Sequence, residues 1–108
     1  MEKLYSTCNI RLILILGFQK NDKVRPNEIL ISNGEKQSLY LTCQALFQAG
    51  DEVLIFKPYW VSFPEFVTLS DASPIIVETH SKNNFEPNIQ DLKSKISSRV
   101  KGIIINSP

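Results

Sequence analysis

Ser32-Asn33-Gly34-Glu35-Lys36-Gln37-Ser38-Leu39-Tyr40 separates two unlike patterns of apolar residues. Ahead of it, Glu28-Ile29-Leu30-Ile31 is short, branched and apolar, as a buried strand would be. Behind it, Leu39, Tyr40, Cys43, Leu46 and Phe47 recur at the spacing of one helix face. The stretch therefore reads as a tight strand-to-helix turn. Gly34 can adopt a positive φ or admit another group close to the backbone. The N–H groups that follow belong to a helix's first turn, where no intrahelical acceptor exists and the macrodipole is positive. Such a terminus suits an anion, phosphate in particular. The same residues also spell a plain helix cap, with Ser32 and Glu35 as a Ser-x-x-Glu capping box. One glycine does not choose between the two.

Outward from this turn the chain becomes regular. Helical spacing runs over Lys36–Gln48 and closes at Gly50, a glycine suited to a helix C-terminus. Strand-like runs begin at Ile29, Val53, Pro74-Ile75 and Gly102-Ile103. A second helix opens with Ser62-Phe63-Pro64-Glu65, another capping box with proline in the first turn, and its apolar face is Phe63, Phe66 and Val67. A third follows Asn88, a good N-cap, and carries Ile89, Leu92 and Ile96 inward. This βαβαβαβ alternation predicts an α/β fold, a mainly parallel sheet with helices on its faces. Val53-Leu54-Ile55-Phe56 and Ile103-Ile104-Ile105 are apolar throughout, as strands covered on both faces should be. Ligands of such sheets sit beyond the carboxyl ends of the strands. Three segments leave strands at that edge: the Gly34 turn, Pro58-Tyr59-Trp60-Val61-Ser62 and Asn106-Ser107-Pro108.

The 108 residues suit one domain or part of one, and 43% apolar with 21% charged residues is ordinary for a soluble globular chain. A net charge of +1 with interleaved signs recommends neither nucleic acid nor an anionic membrane as partner. Cys8 and Cys43 offer neither metal spacing nor a disulfide framework, and a reducing, cytoplasmic home fits best. Cys43 lies on the apolar stripe and reads as core packing. Leu12-Ile13-Leu14-Ile15-Leu16 is far short of the ~20 apolar residues of a membrane span, and no small-residue cleavage site follows it. His80, the single histidine, has no ligand-spaced companion and reads as a solvated loop residue; no metal site is expected.

With these segments aligned, the chain resembles class I aminotransferases of the pyridoxal-phosphate (PLP) fold type I superfamily, most of all the bacterial aspartate aminotransferase branch. The words that carry the resemblance are Ile31-Ser32-Asn33-Gly34-Glu35-Lys36-Gln37-Ser38-Leu39-Tyr40, Gly50-Asp51-Glu52-Val53 and Pro58-Tyr59-Trp60-Val61-Ser62-Phe63-Pro64-Glu65. Asn84-Phe85 and Lys101-Gly102-Ile103-Ile104-Ile105-Asn106-Ser107-Pro108 complete the run. The resemblance divides the chain into a divergent N-terminal segment, 1–17, and a partial PLP-binding large domain, 18–108, truncated at its C-terminal end. It implies PLP as cofactor, amino-acid and 2-oxo-acid substrates, and a homodimer in the intact family. By the same resemblance, the backbone N–H groups of Glu35 and Lys36, after Gly34, cradle the phosphate, and Trp60 lies against the ring. Lys36 does not occupy the position of the cofactor-linking lysine and takes no catalytic role.

Beyond the divergent residues 1–17, two departures qualify that expectation. Position 35 is usually small in the family, and a glutamate there either repels phosphate or folds back as a cap. Beyond Pro108 the family continues into an Asn-Pro-x-Gly turn, and its cofactor-linking lysine, pyridine-pairing carboxylate and substrate-gripping arginine also lie outside these residues. Transamination uses the lysine both as cofactor partner and as the base that moves the α-proton, so the chain alone is expected to be inactive. In the family's sheet order, the strands after Gly50 and Ser73 are expected to be neighbours, with the Ile103 strand separated from both. Two alternatives stand beside the inactive fragment: a non-catalytic PLP- or phosphate-binding module, and a subunit piece active only with a separately made remainder.

Overall fold

The computed structural model describes Arg25, Asn27 and residues 31–106. In chain order these form α1 (Glu35–Leu46), β1 (Glu52–Phe56), α2 (Ser62–Thr68), β2 (Ser73–Val77), α3 (Ile89–Lys95) and β3 (Val100–Ile104), with a 3-10 turn at Ser81–Asn83. The three strands make one parallel sheet in the order β2-β1-β3. The α/β architecture is thus the one the alternating pattern implies. The segment 1–17 and the expected strand at Glu28-Ile29-Leu30 lie outside the described residues; Ile31, at its end, is 81% exposed. No helix among the described residues is long and apolar enough to cross a membrane.

The sheet order corrects one expectation. β3 pairs directly with β1, from Glu52 opposite Val100 to Ile55 opposite Ile104. From β1 the chain crosses through α2 to β2 on one side, then returns through α3 to β1's other side. Right-handed crossovers in opposite directions place α2 and α3 on opposite faces. The register shifts between Glu52 and Val53, next to the point where Glu52 binds the approach to β3. Its backbone N–H donates to Arg99 O at 2.8 Å, and its carboxylate pairs with Arg99 Nη2 at 2.6 Å and accepts from Ser97 Oγ at 2.7 Å.

One face of the sheet holds the core. Val53 and Ile55 of β1 and Ile104 of β3 pack with Leu39 of α1, Phe63 and Val67 of α2, and Ala72, all buried. Phe47, Tyr59, Trp60, Phe66 and Ile76 close its margins. Cys43 is buried and free, as the apolar stripe implied, and burial pushes its thiol pKa up. Gly102 matters through close approach, since a Cβ there would meet the Phe47 ring at 2.6 Å. β1 is buried along most of its length, but β3 is not: Ile103 is 47% exposed, and Ile105, just past the strand's end, also lies open.

Local signals were kept in part. Asn88 caps α3, its Oδ1 accepting from Gln90 and Asp91 N–H. Yet Ile89 and Ile96 are exposed, at 59% and 53%, because α3 leans mainly on β2, tied there by Lys95 Nζ donating to Ile76 O at 2.9 Å. Neither capping box forms. Gly34 and Val61 are the N-caps of α1 and α2, without side-chain cap bonds. Gly50 does not close α1 directly, for the helix ends at Leu46 with Phe47 extended. Instead Gly50, at φ 90, turns the chain into β1 where Asp51 N–H meets Gln48 O.

Candidate functional site

The strand order reverses about β1, and parallel α/β sheets place ligands beyond the carboxyl ends of strands at such a reversal. An open cleft of about 600 Å³ is lined there by Asn33, Gly34, Glu35, Lys36, Trp60, Phe63 and Asn106. Gly34, Glu35, Lys36 and Trp60, the residues singled out from the sequence, are brought together at this one place. Residues from the three edge segments meet here, although Ser107 and Pro108 lie outside the described residues.

Gly34 has φ 82 and ψ 169, backbone space that is essentially reserved for glycine. A Cβ at this position would meet nothing within 4 Å, so conformation and not crowding selects the residue. α1 begins immediately after it, so Glu35, Lys36 and Gln37 present first-turn N–H groups that find no acceptor among the described residues. Their positive helix end is the electrostatic character an anion requires. The turn itself is held by its polar side chains. Ser32 Oγ donates to Gly34 O at 2.9 Å and hydrogen-bonds Ser38 Oγ, while Asn33 N–H donates to Gln37 Oε1. Gln37 thus takes the fold-back role expected of Glu35, which also lines the cleft.

Trp60 arrives on the segment after β1, which follows a cis Lys57–Pro58 peptide. Its indole stands edge-to-face on Phe63 (5.7 Å, 87°) and on Phe66 (6.2 Å, 72°), which tie it to the core while it still lines the cleft. Lys36 Nζ lies 5.3 Å from the ring centroid. At an exposed site such a cation–π contact is worth ~0.5–1 kcal/mol. Asn33 and Phe63 escaped the sequence reading as lining residues, for their presence depends on how the turn and α2 pack. Asn106 carried a usable signal, its place just past β3.

Away from this cleft, His80 precedes the 3-10 turn in an exposed loop. Among the described residues no group of three or more His, Cys, Asp or Glu is placed to hold a metal ion.

The residues of the cleft fit a phosphorylated aromatic ligand. A glycine-only turn, three open N–H groups and an anchored indole offer an anion site and a ring surface together. A family model described as aminotransferase class I and II matches residues 11–108. An aspartate aminotransferase of Bacillus sp. (strain YM-2) is 38% identical over 101 residues, 92% of this chain and 26% of that protein. One from Geobacillus stearothermophilus is 45% identical over 83 residues, 77% of this chain and 21% of that one. Among solved structures, the Thermotoga maritima aspartate aminotransferase superposes with a TM-score of 0.63 at 33% identity, over 67% of this chain and 19% of that one. The Thermus thermophilus enzyme with maleate gives 0.62 at 36%, over 65% and 18%. The chain spans about a quarter of the length of the curated relatives it matches.

Proposed function

The chain belongs to the class I and II aminotransferase family, and on that premise we propose that it supplies the phosphate- and ring-binding part of a PLP cleft from an aspartate-type aminotransferase. The observation that carries this reading is the joint placement of the Gly34 turn, its open amides and Trp60 around one cleft. The N–H groups of Glu35 and Lys36 hold the phosphate. Trp60, fixed by Phe63 and Phe66, sets the plane of the ring and excludes water from one side of it. Glu35 opposes the anion, so affinity is lower than with a small residue there. When bound, PLP supplies the electron sink for moving an amino group between an amino acid and a 2-oxo acid.

None of the cleft-lining side chains is assigned a proton transfer. The base expected from the family lies outside these 108 residues, so binding without turnover is the activity of the chain by itself. A reducing compartment, a homodimer in the complete enzyme and a complementing remainder are parts of the same proposal. The exposed Ile103 and Ile105 favour the remainder reading over a self-sufficient binding module, because parallel sheets are ordinarily covered on both faces. Titration with PLP tests the assignment. Saturable quenching of Trp60, the single tryptophan, with no oxaloacetate formed from aspartate and 2-oxoglutarate, is expected. Failure to quench, or turnover by the chain unaided, would refute it.

A further inference from the structure

Lys36 stands at an unusual junction. Its amide is one of the open N–H groups at the head of α1, while its ammonium lies over the Trp60 ring, 5.3 Å from the centroid. No carboxylate pairs with that ammonium among the described residues, although Glu35 is its neighbour in the chain. The side chain is exposed, so it is free to turn about its four-carbon stem. Trp60, by contrast, is pinned by Phe63 and Phe66. Any flat ligand taking the indole face that Lys36 covers must first move the ammonium.

We infer that the Lys36 side chain is a two-position latch: it covers Trp60 while the cleft holds no anion and leaves the indole to pair with a phosphate that docks at the head of α1. This rests on the PLP reading above and adds to it a role for the Lys36 side chain beyond that of its backbone. The exchange runs toward phosphate, which offers two charges and several acceptor oxygens where indole offers only a ring quadrupole. The latch therefore discriminates. A ring without phosphate must displace the ammonium and gives it no new partner, whereas a phosphorylated ring frees its own stacking surface.

Pyridoxine and pyridoxine 5′-phosphate separate these cases, since neither carries an aldehyde that could condense with a lysine. Trp60 is the sole tryptophan, so its emission reports this cleft alone. In the full chain, Lys36→Met should bind pyridoxine about threefold more tightly and pyridoxine 5′-phosphate about threefold more weakly than the unaltered chain, the scale of one exposed cation–π contact or ion pair. Lys36→Arg, which keeps the cation, should preserve the unaltered chain's preference for the phosphorylated ligand. Independently of either ligand, Lys36→Met should raise acrylamide quenching of Trp60. Shifts of the same sign for both ligands, or none, would overturn the latch, as would unchanged acrylamide quenching. If acrylamide quenching rises but neither ligand saturably quenches the unaltered chain, the PLP reading fails and the phosphate-driven exchange fails with it.

Discussion

Gly34 sits where a side chain would find room but the backbone would not tolerate one. Gly34→Ala should therefore cost about 1–3 kcal/mol through φ and ψ alone, measured by denaturant unfolding, and should weaken phosphate binding as the open amides are displaced. Glu35 acts in the opposite sense. It lines the cleft meant for a dianion, so Glu35→Ala should strengthen PLP binding about fivefold, equivalent to the ~1 kcal/mol of two like charges about 4 Å apart across water; unchanged affinity would mean the carboxylate points away. Cys43 gives a pH dependence with a definite sign. Burial raises its pKa, so the folded chain favours the neutral thiol. That stability is intact below the ordinary thiol value of ~8.5 and is lost as the pH climbs through the raised folded value. Unfolding free energies measured from about pH 7 to 10 across that thiol range should therefore fall more steeply with pH in the unaltered chain than in Cys43→Ala.

Where elements meet, Gly102 decides how closely the end of α1 approaches β3, because the Phe47 ring occupies the space a Cβ would need. Gly102→Ala should destabilise the chain by about 1–3 kcal/mol, and most of that loss should disappear in a Phe47→Leu background if this contact is the cause. Asn88→Ala removes two accepted bonds from the start of α3 and should cost about 1 kcal/mol. The identity of each described α-helix and strand was legible, since apolar runs and helical spacings survive in short segments. Partners across elements were not. Glu35 and Glu65 matched a capping pattern, but Gly34 and Val61 start the helices without side-chain caps. Of α3's inward stripe, Leu92 is half-buried, but Ile89 and Ile96 meet too little of β2 to be covered. The neighbour of β3 was not legible, because pairing follows from the direction of the crossovers, which no local pattern records.

As a whole, the described sheet has three strands, and β2 and β3 each lack a second neighbour among the described residues. Exposed Tyr40, Leu41, Leu69, Ile103 and Ile105 add apolar surface. The 108-residue chain should consequently show low stability and a tendency to associate when made alone, seen as concentration-dependent scattering and a shallow unfolding transition. PLP should counter this, for a ligand at 100 times its Kd adds ~2.7 kcal/mol to the folded state. Gly34 and Trp60 were legible as site residues because one glycine turn and one aromatic followed strands at the same sheet edge. Asn33 and Phe63 were not, since only the packed turn and α2 carry them to the cleft. The cradle itself is tested most directly by the amide resonances of Glu35, Lys36 and Gln37 during addition of PLP. They should shift saturably, together with the Trp60 indole signal; excess inorganic phosphate, competing for the same amides, should return the indole signal while leaving the three amides shifted. Shifts confined to other residues, with these three amides unmoved, would contradict the account.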